Sequence, residues 1–183
     1  MDYTLTVEEE AIVTRVGWER QREYLGRPEA NMNYSEGDAW ETLQHIICAG
    51  SEIAFARMLG LNDFVPHVNK WKTELDVPGV GEVRYAFPPN FPEYSNEVRG
   101  LRMTSRDDES LKYVLLAGGL GRKTRRVAPE WKGAPYTALG WMYGHECKRD
   151  EWKADFGGWY VPRAHLHPMS TLDIFAGTPS SRE

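Results

Sequence analysis

The sequence predicts a single domain of the α/β (α+β) class, in which N-terminal helices pack on a central mixed β-sheet. Apolar residues recur at helical spacing in a helical part, residues 1–60, whereas residues 65–175 hold short segments rich in β-branched and aromatic residues. Residues 176–183 read as a flexible tail. A chain of 183 residues with 41% hydrophobic content is long enough to bury one core.

Two helices are predicted in the helical part. The first is "VEEEAIVTRVGWERQREYLG", for which Thr6 is a suitable N-cap and three acids occupy the first turn. The second is "AWETLQHIICAGSEIAFARMLGL", where apolar residues follow steps of three and four and Gly60 provides an end. Its small residues, among them Gly50, predict a surface that another element approaches closely.

The sheet part is predicted to be mostly antiparallel, with Gly, Pro and Asp separating its strands. The predicted strands are "KWKTELDV", "GEVRYAF", "RGLRMT", "KYVLLAG", "YTALGWMYGHEC" and "WYVPRAHL". The segment "KRDEWKADF" reads as a short helix or turn, and "HPMSTL" as a last helical turn. Helices that precede a run of strands indicate a layered α+β arrangement.

Charge and cysteine content limit the class of protein. The net charge of −5 argues against a general electrostatic attraction to nucleic acid. Two distant cysteines do not make a disulfide framework, and the acidic N-terminus has no signal-peptide features. No apolar run is long enough to span a bilayer, so we expect a cytoplasmic protein with no membrane partner.

One stretch, "GGLGRKTRRVAPEWKG", concentrates positive charge beside three glycines. Arg122, Lys123, Arg125 and Arg126 predict a flexible loop that contacts DNA phosphates, with salt-sensitive binding. The alternative is a solvated hairpin tip. The glycines do not follow the order of a phosphate-binding P-loop.

Four charged residues surround a Pro-Gly turn in "TELDVPGVGEVRYAF". If the turn centres on Gly79, Val77 pairs with Gly81, Asp76 lies opposite Glu82, and Glu74 lies opposite Arg84. Because side chains alternate along a strand, all four charged side chains then lie on one face. Opposed carboxylates are unfavourable unless a cation neutralises them, and Mg²⁺ prefers carboxylate oxygen. The alternative is an exposed hairpin whose acids pair with Arg84 and solvent.

The order of these acids resembles the PD-(D/E)XK nuclease superfamily, which has the restriction-endonuclease-like fold. The matching residues are Glu52 in "GSEIAFARMLG", Asp76 in "LDV", and Glu82 with Arg84 in "EVR", over roughly residues 40–120. The run also looks like small phage-encoded proteins of this superfamily. The resemblance implies that Glu52, Asp76 and Glu82 ligate Mg²⁺ or Mn²⁺, that Arg84 neutralises the scissile phosphate of DNA, and that "LKYVLLAGG" is a central strand.

The sequence departs from the family pattern at two positions. Leu75 replaces the usual proline, and Arg84 replaces the usual lysine, which can lose its proton where arginine cannot. An amine from Lys112 is one possible substitute. The substitution at Arg84 also leaves open a catalytically inactive accessory protein on the same fold that binds nucleic acid or inhibits a host protein. For Glu52, the alternative to metal binding is a position at the edge of the apolar face, paired with a nearby base such as Arg57.

A zinc-stabilised structural module is a further alternative. "HEC" and "HLH" each place two metal-binding side chains two residues apart, as on one face of a strand. If those strands were neighbours, His145, Cys147, His165 and His167 would form a tetrahedral Zn²⁺ site. Surface or hydrogen-bonded histidines are the other interpretation.

Overall fold

Two long helices and two β-sheets make up the computed structural model, which describes residues 1–26, 39–68, 74–86, 100–118, 131–155 and 157–173. The helices are α1 (Val7–Leu25), α2 (Ala39–Met58) and the short α3 (Gly144–Cys147), and three 3-10 turns lie at Asp150–Trp152, Arg163–His165 and Met169–Thr171. The strands are β1 (Asp2–Tyr3), β2 (Glu82–Ala86), β3 (Gly100–Met103), β4 (Lys112–Gly118), β5 (Tyr136–Tyr143), β6 (Lys153–Ala154) and β7 (Gly158–Pro162).

Helix α1 begins and ends where the sequence indicates. The Thr6 hydroxyl accepts a hydrogen bond from the Glu9 backbone N–H at 3.2 Å, and a Glu9 carboxylate oxygen accepts one from the Thr6 N–H at 3.0 Å. This reciprocal capping box satisfies two N–H groups that the helix itself leaves unbonded. Gly26 follows the last residue as C-cap. The predicted helix 7–26 is therefore confirmed.

The small residues of α2 explain how closely the helix lies on the sheet. A β-carbon at Gly50 would come within 2.2 Å of the Tyr136 hydroxyl on β5, so only glycine leaves room for the ring. Tyr136 is itself buried beside α2. The roughly 1 kcal/mol that glycine costs within a helix is offset by this packing.

The strands form two sheets. The first has the order β1-β5-β4-β2, in which β2 runs parallel to β4 and the other neighbours are antiparallel. The second has the order β3-β7-β6 and is antiparallel throughout. The first sheet is mixed, as expected, but the strands do not all join one sheet.

Two apolar layers lie on opposite faces of β2 and β4. Val83, Val114 and Leu116 pack with α1 and α2 on one face. Ala86 and Leu115 pack on the other face, with residues of β3 and β7. Strand β4 has a partner on each side and six buried residues in a row, so the prediction of a central strand buried on both faces is confirmed.

Three predicted strands end differently in the structure. In "KWKTELDV", residues 70–73 lie outside the described residues, and 74–77 contribute only an isolated bridge from Val77 to Gly81. Strand β5 stops at Tyr143, because Glu146 accepts a hydrogen bond from the Tyr143 backbone N–H at 3.1 Å and starts α3. Strand β7 stops at Pro162, which begins a 3-10 turn.

Two predicted features lie outside the described residues: the basic loop with Arg122, Lys123, Arg125 and Arg126, and the tail 176–183. The other two local predictions are confirmed, since "KRDEWKADF" contains a 3-10 turn and "HPMSTL" contains another. Of the helices that the structure describes, none has the length and apolarity to cross a membrane.

Candidate acidic site

The turn that joins Asp76 to β2 has the predicted register. The Val77 N–H donates to the Gly81 carbonyl at 3.1 Å, and the Gly81 N–H donates to the Val77 carbonyl at 3.2 Å. Gly79 and Gly81 have φ angles of 75° and 152°, which favour glycine. Val77 therefore faces Gly81, which brings Asp76 beside the first residues of β2.

Asp76 binds the free edge of the sheet. Its Oδ2 accepts a hydrogen bond from the Val83 backbone N–H at 2.9 Å. Strand β2 is the last strand of its sheet, so this N–H has no strand partner among the described residues. One carboxylate oxygen of Asp76 thus supplies the missing acceptor at this edge.

Glu82 lies against Asp76 and is partly buried, with 15% of its side chain exposed. Burial and the charge of Asp76 raise the pKa of Glu82 to about 8, although Arg84 opposes this. Two carboxylates this close cannot both ionise without cost. Asp76 therefore lies beside Glu82, as the register predicts, and near neutral pH Glu82 favours its protonated form.

Glu52 is buried in α2, with 4% of the residue exposed, and is bound by Arg20 of α1. The two terminal nitrogens of Arg20 donate to the two oxygens of Glu52 at 2.7 and 2.8 Å. Burial raises the pKa of Glu52 to about 7, with Arg20 opposing and Asp76 adding repulsion. The expected pairing of Glu52 with a base is present, but the residue is buried and the base is Arg20, because Arg57 instead donates to Glu9 at 2.7 Å.

Arg84 binds Asp107, a residue that the sequence does not single out. The distance between Nη2 of Arg84 and Oδ1 of Asp107 is 2.8 Å, and Nη1 of Arg84 lies 3.8 Å from Oε2 of Glu82. Asp107 is held in place because its other oxygen accepts from the Thr104 N–H at 2.6 Å. Glu74 lies in no strand, so the predicted strand pairing of Glu74 with Arg84 does not form.

The candidate acidic site joins acids from different layers. Because side chains alternate along a strand, Glu82 and Arg84 share the face of Ala86, toward the second sheet. Glu52 comes from α2, which packs on the opposite face, and its charge nevertheless contributes to the raised pKa of Glu82. We define the acidic cluster by six side chains: Arg20, Glu52, Asp76, Glu82, Arg84 and Asp107.

The acidic cluster fits a divalent cation at two of the three predicted ligands. In the part of the chain that the structure describes, no three His, Cys, Asp or Glu side chains form a ready metal-binding group. Asp76 and Glu82 are adjacent, and a hydrated Mg²⁺ bound through one or two carboxylates keeps several waters. The oxygens of Glu52 are engaged by Arg20, so the complete set of three ligands is not assembled.

Lys112 does not supply an amine to the acidic cluster. It is buried, and its Nζ donates to the backbone carbonyl of Asp173. The same nitrogen lies 5.9 Å from the ring centres of Trp141 and Tyr143. Its role is to join the start of β4 to the C-terminal segment.

The geometry expected for a zinc site is also wrong. His145 and Cys147 lie on α3 and His165 ends a 3-10 turn, so neither pair shares a strand face. His167 bonds to the Glu146 carboxylate at 2.9 Å, and Nδ1 of His145 lies 3.3 Å from the Glu109 carbonyl. Burial raises the pKa of the Cys147 thiol to about 12, which disfavours the thiolate that zinc requires.

Sequence reasoning missed Arg20 and Asp107, the two residues that bind the predicted site residues. Arg20 is separated from Glu52 by 32 positions and Asp107 from Arg84 by 23, and neither pair follows a helix or strand spacing. A buried acid requires a cationic partner, but several arginines in the sequence satisfy that requirement equally well. In comparisons with known proteins, no family model, no curated protein and no solved structure matches the chain.

Proposed function

We propose that the chain is a DNA-binding, nuclease-like protein that holds Mg²⁺ or Mn²⁺ between Asp76 and Glu82 and hydrolyses phosphodiester bonds. The observation that carries the proposal is the position of Asp76, whose carboxylate accepts from the Val83 N–H at 2.9 Å and so lies beside Glu82 at the free edge of the sheet. Asp76 adds repulsion to the effect of burial on Glu82, and a divalent cation bound between the two carboxylates would remove that repulsion.

The charges of the acidic cluster support a cation. The cluster contains four acids and two arginines, so two negative charges exceed the positive ones when all six groups are ionised. Each arginine has one close carboxylate partner, Glu52 for Arg20 and Asp107 for Arg84. The excess charge therefore falls on Asp76 and Glu82, where one Mg²⁺ would neutralise it.

The roles of the protein groups follow from their positions. Mg²⁺, when bound, lowers the pKa of a bound water and neutralises phosphate charge. Arg84 lies beside the pair with a third of its side chain exposed, so its guanidinium is placed to neutralise a phosphate at the same edge. Arg84 cannot serve as a base, which leaves proton removal to the carboxylates.

The wider proposal includes the fold and the partner. An acid on a helix, then an acid beside the sheet edge, then Glu-x-Arg on a strand is the order that resembles the restriction-endonuclease-like fold. DNA would follow the edge of β2, and the basic loop with Arg122, Lys123, Arg125 and Arg126 would contact its backbone. A small phage protein that acts on DNA in the host cytoplasm fits this description.

The test is cleavage of supercoiled plasmid DNA in the presence of Mg²⁺ or Mn²⁺ at about 5–10 mM. Asp76→Asn keeps an oxygen that can accept from the Val83 N–H, so the edge contact survives while the charge is lost. We expect cleavage by the wild type and its loss in Asp76→Asn and Glu82→Gln. Asp63→Asn, at an exposed residue, is the matched control. Equal cleavage by the wild type and Asp76→Asn ends the nuclease proposal.

The contacts of the two arginines favour a second function, a catalytically inactive accessory protein on the same fold that binds DNA or inhibits a host protein. Arg20 engages both oxygens of Glu52, and Arg84 stands where a lysine is expected and binds Asp107. Such a protein would bind DNA with unchanged affinity in the presence of EDTA and would cleave none of it. Titration calorimetry with Mn²⁺ and a DNA-binding assay on the same preparation distinguish the two functions.

A further inference from the structure

Arg20 joins three parts of the chain at the acidic cluster. Its terminal nitrogens bind both oxygens of Glu52, and its Nε and Nη2 donate to the His67 backbone carbonyl at 3.0 and 2.7 Å. The side chain is 13% exposed. Arg20 is thus fixed on α1, α2 and the segment that leads toward Asp76, and its fork occupies the carboxylate of the expected helical ligand.

We infer that Arg20 is a positioning residue that keeps Glu52 out of the cation's coordination shell, so that the wild-type site binds its ion through Asp76 and Glu82 alone. This inference rests on the proposed function, because it concerns the ion proposed there. Both Glu52 oxygens accept hydrogen bonds from a planar fork, the strongest arrangement that a carboxylate forms with arginine. The two bonds to the His67 carbonyl prevent the guanidinium from turning away easily.

Removal of the guanidinium should tighten cation binding. A Glu52 carboxyl released from Arg20 loses both hydrogen bonds that hold it between the helices. It also offers oxygen ligands that Arg20 now occupies. Because the affinity of a site for a divalent cation rises with the number of charged ligands, we expect a gain of roughly tenfold or more.

The experiment measures the Mn²⁺ dissociation constant by calorimetry and by electron paramagnetic resonance at pH 8.5, where protons compete little for carboxylates. The variants are Arg20→Gln, Arg20→Lys and the double variant Arg20→Gln/Glu52→Gln. The double variant replaces a neutral ion pair with two neutral amides, so the charge of the site does not change. Circular dichroism establishes that each variant is folded.

We expect Arg20→Gln to bind Mn²⁺ roughly tenfold or more tightly than the wild type, and the double variant to return within about threefold of the wild type. Arg20→Lys keeps the charge but loses the fork, so its affinity should lie between those of the wild type and Arg20→Gln. A purely structural role would not produce a gain. Unchanged or weaker binding in Arg20→Gln overturns the inference, and if that variant does not fold, unchanged or weaker binding in Arg20→Lys does so.

The wild type and Asp76→Asn separate this inference from the proposed function. If the wild type binds no Mn²⁺, both proposals fail. If the wild type binds Mn²⁺, Asp76→Asn does not, and Arg20→Gln is no tighter, the cation site stands and only the role of Arg20 is wrong.

Discussion

Acidic side chains are closely paired with arginines in the helical layer but not at the edge of β2, where they are partly buried. Between α1 and α2, each of the two buried acids has its own arginine, Glu9 with Arg57 and Glu52 with Arg20, both at 2.7 Å. At the edge of β2, Asp76 and Glu82 lie together, and the nearest arginine is 3.8 Å from Glu82 and bonded more closely to another acid. Matched charges hold the helices together, whereas the unmatched charges are the basis on which we propose a cation.

Loss of a matched arginine is expected to have the largest effect on stability. Arg20→Ala and Arg57→Ala each leave a buried carboxylate without its partner, so each should lower the free energy of unfolding by about 3–5 kcal/mol in urea denaturation. Arg149→Ala is the matched control, because its contact with Glu151 is 3.9 Å long and both side chains are more than half exposed. A loss below about 1 kcal/mol for Arg20→Ala would show that the helical pair is not buried in solution.

The unmatched pair is expected to make stability fall as the pH rises. The folded pKa of Glu82 is about 8, above its ordinary value of 4.5, so the folded state holds a proton that the unfolded state has released. The free energy of unfolding should therefore decrease from about pH 4.5 to pH 8, and Glu52, with a pKa of about 7, adds to the lower part of that range.

This contribution is measured by thermal unfolding of the wild type and Glu82→Gln from about pH 5 to pH 9. It is the difference between the two proteins in the slope of unfolding free energy against pH. Glu82→Gln should flatten the curve. Mn²⁺ at a hundredfold excess over its dissociation constant should restore about 2.7 kcal/mol to the wild type at pH 8.5 and little to the variant. If the stability of the two proteins changed with pH in parallel, the unmatched pair would not be the cause of the pH dependence.

A partly exposed pair at α3 is expected to give the smallest effect. Burial opposes the change, but hydrogen bonds with His167 and the Tyr143 N–H bring the pKa of Glu146 below its ordinary value. The resulting stability is present at neutral pH and decreases as the pH falls through the folded pKa. His167→Ala should therefore lose less than about 1 kcal/mol at pH 6 and weaken the acid-side dependence. If the free energy of unfolding in urea fell by more than about 2 kcal/mol, the contact between His167 and Glu146 would be as strong as the buried ion pairs between the helices.

Local features of the fold could be predicted from the sequence because their causes lie within a few residues. The cap at Thr6, the apolar run of β4 and the Val77–Gly81 turn each depend on neighbours in the chain. The division into two sheets could not be predicted, because pairing of β3 with β7 joins residues about sixty positions apart, a choice that alternation does not determine. The end of β5 depends on one hydrogen bond from Tyr143 to Glu146, which competes with continued strand pairing.

The sequence by itself determined that two long helices precede the main strands, although the short strand β1 comes before α1, that the β4 segment is buried on both faces, and that Asp76 lies beside Glu82. These follow from periodicity and from a short turn, in which few conformations compete. Only the tertiary structure decided that Arg20 binds Glu52 and that Asp107 binds Arg84. A buried charge is costly unless it is paired or hydrogen-bonded, and the packing of distant elements alone determines which partner is within reach.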